Sequence, residues 1–202
     1  MAHRFYENGR IEAGLTAEQY HEVLSQQASV SGEGLSEEAA EKLNFTQLNL
    51  HRTNRITRTY RVDDDLAALM GSINKRQTWM LLTEPWCGDS AQCLPYIAAM
   101  ADLNEGISLR LILRDENLDI MDDFLTNGTR SIPQLVIFDE DGNELTQWGP
   151  RPREAQKVFM DAKEGGLEKP EILEKLHLFY GRNRGKALIE EFRKIIRGLV
   201  DS

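Results

Sequence analysis

The chain has 202 residues, 41% hydrophobic and 28% charged, a composition that excludes disorder and suits one sizeable domain or a smaller one with appendages. Its formal net charge of −9 opposes nucleic acids and anionic membranes. No stretch approaches the ~20 apolar residues of a membrane span, and residues 1–10 lack the apolar core of a secretory signal, so the expected compartment is the cytoplasm.

The first third reads as helical. Thr16 followed by Gln19 forms a capping box ahead of Tyr20, Val23 and Leu24. A Ser-Gly-rich break over 29–34 leads to Ser36 as a second N-cap, with Ala40, Leu43, Leu48 and Ile56 behind it. Asp63 to Asp65 supply a cap and first-turn acids for a helix through Leu66, Leu69, Met70 and Ile73. The pattern then changes. Residues 78–83 are a short apolar run, expected as a buried strand, and Trp86-Cys87-Gly88-Asp89-Ser90 leads into a helix carrying Leu94, Ile97 and Met100. A strand is expected over 107–113 and a helix over 118–125, ended by Asn127-Gly128. Residues 134–138 and 144–148 form a hairpin around a turn at 139–143, and two helices close the sequence at 170–180 and 186–199. This order predicts an α/β fold with a mixed central sheet. Its expected division is a helical N-terminal extension (1–76), a core (77–164) and C-terminal helices (165–202).

Cys87 is the candidate nucleophile. A thiolate reacts and a thiol does not, and a free thiol with a pKa of about 8.5 is mostly protonated at neutral pH. At the start of a helix the sulfur meets unpaired N–H groups and the positive end of the macrodipole, which predicts a lowered pKa. Ser90, three residues on, adds a hydroxyl donor. The alternative is an inert buried cysteine. Cys93 is a possible second thiol, but six helical residues rise about 9 Å, beyond the Cα separation of about 7 Å that a disulfide tolerates. Packing as a small hydrophobe is its expected role. His3, His21, His51 and His177 lie far from both cysteines in sequence, so no metal is expected, and no Gly-rich phosphate loop implies a nucleotide or other cofactor. Thr83 is four residues before Cys87, not three as a peroxidase-like T-x-x-C requires. The arginines at 52, 55, 58 and 61, and the basic residues of the tail, are expected on solvated faces paired with acids rather than on nucleic acid. Arg130 is likewise expected in solvent.

These residues together resemble the thioredoxin family, over about half the chain. Trp86-Cys87-Gly88-Asp89-Ser90 stands where the family carries W-C-G-P-C. Pro95 has the family's spacing for the proline in the active-site helix, and the segment 129–133 resembles the one ending in its cis-proline. The helical flanks look like an extended bacterial branch of thioredoxin-like proteins. The resemblance implies a thioredoxin fold with helical extensions. It also implies a cis Ile132-Pro133 bond presenting the Ile132 backbone beside Cys87, and Trp86, Ile132 and Pro133 as substrate contacts. Two departures stand out. Ser90 replaces the resolving cysteine, and Leu81 takes the place of a buried acid. Both concern release of a mixed disulfide, so the expected activity is monothiol exchange with an external resolving thiol. The expected partner is a protein or low-molecular-weight thiol or disulfide, without nucleic acid or membrane; the sequence leaves the oligomeric state open. A binding module without redox turnover, or a Cys87–Cys93 sensor, are the other readings.

Overall fold

A computed structural model describes residues 3–200 of the chain. Among the described residues four helices precede the first strand: α1 (Arg4–Glu7), α2 (Ala17–Ala28), α3 (Glu37–Thr59) and α4 (Asp64–Gly71). Then come β1 (Gln77–Thr83), α5 (Gly88–Ala101), β2 (Ile107–Leu113), α6 (Leu118–Asp122), β3 (Gln134–Phe138) and β4 (Glu144–Trp148). Three helices follow, α7 (Arg153–Glu164), α8 (Lys169–Asn183) and α9 (Lys186–Val200).

Local chemistry accounts for the helix starts. The Thr16 hydroxyl accepts from the Gln19 N–H at 3.2 Å while the Gln19 side chain accepts from the Thr16 N–H, a reciprocal box that satisfies two otherwise orphaned donors. Ser36 and Asp63 cap α3 and α4 by accepting from the Ala39 and Leu66 N–H groups, without a reciprocal bond. The helix after Asn117 is shorter than its apolar pattern predicts and ends at Asp122.

The sheet has the order β2-β1-β3-β4, with β1 and β2 parallel and the other pairs antiparallel. Alternation along β1 sorts side chains to two faces. Trp79 and Leu81 join a large core with α2–α5 and α7–α9, while Met80 and Leu82 join a smaller one beneath α6. In β3, Leu135 and Ile137 take the first face and Val136 and Phe138 the second. The chain's first residues complete the smaller core: Phe5 and Ile11 are buried, and the Phe5 ring meets Phe124 and Phe138 edge-on. Leu15 bonds to the backbone of Leu111 through both amides, at 2.9 and 2.8 Å, which covers part of the edge of β2.

The C-terminal helices are part of the core. Leu188, Phe192 and Ile196 recur at helical spacing along α9, and Phe192 lies 6.0 Å from the Trp79 ring and 5.4 Å from that of Trp148. Glu191 accepts from the Trp148 indole and from the Arg153 N–H, both at 2.7 Å, so one carboxylate ties α9 to β4 and to the start of α7.

Candidate functional site

β1 ends at Thr83, and the turn Glu84-Pro85-Trp86 delivers Cys87 as the N-cap of α5. The Cys87 N–H donates to the Glu84 carbonyl at 3.0 Å. The sulfur accepts from the Ser90 N–H at 3.4 Å, and its thiol donates to the Ile132 carbonyl at 3.3 Å. The Ile132-Pro133 bond is cis, and the Ile132 carbonyl ahead of β3 faces the sulfur. The Ser90 hydroxyl oxygen is buried with no hydrogen-bond partner; its amide makes the bond to sulfur.

The electrostatics differ from the sequence expectation. Cys87 is only 8% exposed. Burial first, and the charge of Asp89 second, push the thiol up to about 11, against the pull of the Ser90 and Asp89 amides. Few unpaired N–H groups compensate for the water the sulfur has lost, so Cys87 rests as a thiol rather than a thiolate. Its alkylation by iodoacetamide is therefore expected to rise about tenfold per pH unit between roughly pH 7 and 10. A plateau below pH 8, read by intact mass, would show a lowered pKa instead.

Cys87 lines a cavity of about 390 Å³. Trp86 forms part of the rim, with the Arg114 guanidinium 4.8 Å from its ring centre. The segment Thr129 to Ile132 forms the opposite wall. The remaining cover comes from helices outside the β-α-β core: Phe45 on α3, and Lys169, Leu173 and His177 on α8.

Several wall groups have no local sequence signal. Burial, then the neighbouring Arg52 charge, push the His177 imidazole down to about 4, so it is neutral at pH 7, and its buried Nδ1 has no partner. Arg52 is half-buried instead of solvated. Its Nη1 donates to the Asn49 side-chain oxygen at 2.9 Å, and the Asn49 amide donates to the Pro85 carbonyl at 3.0 Å, tying α3 to the turn before Cys87. A side chain at Gly88 would meet Arg52 Nη1 and His177 Cε1 at 3.6 Å each. Asp89 accepts from the Tyr180 hydroxyl and from Arg151 through Nη2 at 2.6 Å and Nε at 3.0 Å. Arg130, at the rim, donates to both oxygens of Asp122 at 2.7 Å, so it is a paired group.

Cys93 is fully buried in the larger core, whereas Cys87 belongs to the smaller one, and both are free thiols. Burial, then Asp89, raise the Cys93 thiol well above the ordinary range. Pro95 lies inside α5, and Leu81 is buried without polar character. Glu84, three residues before Cys87, is a buried acid with no counterpart among the sequence expectations. Its carboxylate accepts from the Asp115 N–H at 2.7 Å, and burial raises its pKa. Among the described residues no cluster of three or more His, Cys, Asp or Glu is arranged to hold a metal, and no helix is long and apolar enough to cross a membrane.

A thioredoxin family model matches residues 36–163. A protein of unknown function from Pseudomonas aeruginosa superposes with a TM-score of 0.56 at 17% identity, over 91% of this chain and 98% of its own. An HIV epitope scaffold superposes with the same TM-score of 0.56 at 19% identity, over 86% of this chain and 97% of its own. At these identities the likeness is one of fold, and it extends over the flanking helices. No curated protein matches the chain.

Proposed function

The chain belongs to the thioredoxin family, and from that premise we propose that it exchanges thiols and disulfides through Cys87 alone, in a reducing, cytoplasmic setting. One observation carries the reading: the sulfur caps α5 opposite the Ile132 carbonyl, and the residue one turn on is Ser90, not a second cysteine. In the first step the Cys87 thiolate attacks a disulfide. A Cys87–substrate S–S bond forms, the original S–S bond breaks, and the leaving thiolate takes up the proton that Cys87 gave to solvent. An external thiol then attacks the mixed disulfide, releasing the exchanged disulfide and restoring Cys87. No net oxidant is needed. Ser90 contributes its amide to the sulfur, Trp86 and Ile132 line the cavity on the substrate side, and Pro133, the expected third contact, is buried behind Ile132 and outside the lining.

The test is intact-mass analysis after treatment with a small symmetric disulfide at about pH 9, where more of the thiol is ionised. One adduct is expected on the wild type and on Cys93→Ala, none on Cys87→Ser, and release by added thiol. An adduct confined to Cys93, or none at all, overturns the exchange reading. The raised thiol favours a second reading, a binding module without redox turnover. That reading predicts no adduct across the whole alkaline range. A Cys87–Cys93 sensor has less support, since the two sulfurs sit in separate cores.

A further inference from the structure

We infer that Cys87 exchanges with small anionic disulfides and discriminates against protein disulfides. This inference rests on the exchange reading above and adds to it the chemical class of the substrate.

Size is the first argument. A protein disulfide arrives flanked by two backbones, so the attacked sulfur must be reachable from an open groove. Here the sulfur-bearing residue is 8% exposed, at a cavity of about 390 Å³ walled by Phe45 from α3 and by Leu173 and His177 from α8. That volume lies at the lower end of the range for small-molecule pockets.

Charge is the second. The chain as a whole carries −9, yet the wall of this cavity presents Arg114, Arg130, Arg151 and Lys169. Among the described residues Asp89 is the one carboxylate in that wall, and Arg151 and Tyr180 occupy it. The partners of Arg114 and Arg130, namely Asp115 and Asp122, lie outside the wall. Lys169 is 76% exposed and only 3.9 Å from its nearest acid, Glu41. Beside Gly88 and His177, Arg52 adds a half-buried charge whose side-chain hydrogen bond goes to the neutral Asn49, with Asp89 acting on it only through the field. Although each of the four cations in the wall has an acid within 3.9 Å, the lining itself carries four cations to one carboxylate, and a cleft with such an excess concentrates ligands of the opposite sign.

The experiment compares three aliphatic disulfides: dithiodiglycolate (dianionic), hydroxyethyl disulfide (neutral) and bis(trimethylammonioethyl) disulfide (dicationic at every pH). Each rate of adduct formation at about pH 9 is divided by the rate of the same disulfide with free mercaptoethanol, which removes intrinsic reactivity. The expected order is anionic, neutral, cationic, with about tenfold between the extremes or more at low salt, compressed toward parity at about 0.5 M salt. In Arg130→Gln/Lys169→Gln, whose folding is checked by far-UV circular dichroism, the preference for the dianion is expected to fall. The disulfides of insulin are expected to react far more slowly than dithiodiglycolate. Equal normalised rates for the three probes, insensitive to salt, overturn the charge selection and leave the exchange reading standing. Insulin reacting as fast as the dianion overturns the size selection. Absence of any adduct with every probe defeats the exchange reading beneath both.

Discussion

Replacing Asp89 by alanine is expected to destabilise the protein by about 3–5 kcal/mol, the range for breaking a buried ion pair and leaving one charge uncompensated. The carboxylate sits in the first turn of α5, 12% exposed, and its partner Arg151 is 14% exposed. Removing it leaves the guanidinium with the Gln156 oxygen at 3.2 Å and the face of Phe159, and leaves the Tyr180 hydroxyl without its acceptor. Asp89→Asn keeps an acceptor for Tyr180 and loses only the charge, so its expected cost is smaller, about 1–3 kcal/mol. Urea unfolding separates the two. Both variants should also lower the Cys87 pKa, because after burial the Asp89 charge is the chief cause of its elevation. The folded thiol, at about 11, lies above its unfolded value of about 8.5. Stability from this group is therefore full below about pH 8.5 and is lost as pH rises toward 11. Asp89→Asn should reduce that alkaline loss and speed alkylation of Cys87 at pH 8. A variant as stable as the wild type, with an unchanged alkylation profile, would refute the role given to Asp89.

Gly149→Ala is expected to cost about 2–5 kcal/mol, combining a backbone conformation that L-residues rarely adopt with a steric clash. Gly149 has φ +146°, and an added Cβ would lie 2.3 Å from the Pro133 carbonyl oxygen and 3.2 Å from Gln134 Cα. Both are backbone atoms, which cannot rotate away as a side-chain tip does. The segment they belong to presents Ile132 to the sulfur, so the Ile132 acceptor should shift and the exposure of Cys87 should change with it. Gly34→Ala is the control. It too has positive φ, +78°, but no atom lies within 4 Å of its added Cβ, so only the strain of about 1 kcal/mol is expected. Chemical unfolding of the pair decides the matter: equal costs at the two positions would mean that Gly149 makes no close approach to the Cys87 loop.

The parts of this protein legible in its sequence are those set within a few residues. The caps at Thr16, Ser36 and Asp63, the alternation Trp79/Leu81 against Met80/Leu82, and the strand-to-helix step at Cys87 each depend on neighbours one to four positions away. Cys87, Pro95 and Pro133 are too far apart for that reason to apply, and they pointed to the fold through their resemblance to the thioredoxin pattern. Phe5 and Ile11 gave no such signal, because what buries them is a sheet face made more than sixty residues later. His177, Lys169 and Leu173 were equally silent: a C-terminal helix reads as an appendage until its packing brings it over the thiol.

Local sequence determined that a sulfur would stand at the head of α5 and that no second cysteine would lie one turn away. Only the tertiary structure decided its chemical state. The pull of a helix terminus is a short-range effect that sequence position reveals. Desolvation is the sum of everything packed against the atom, here the smaller core in which Cys87 sits and the loop before β3, and around Cys87 that sum is the larger.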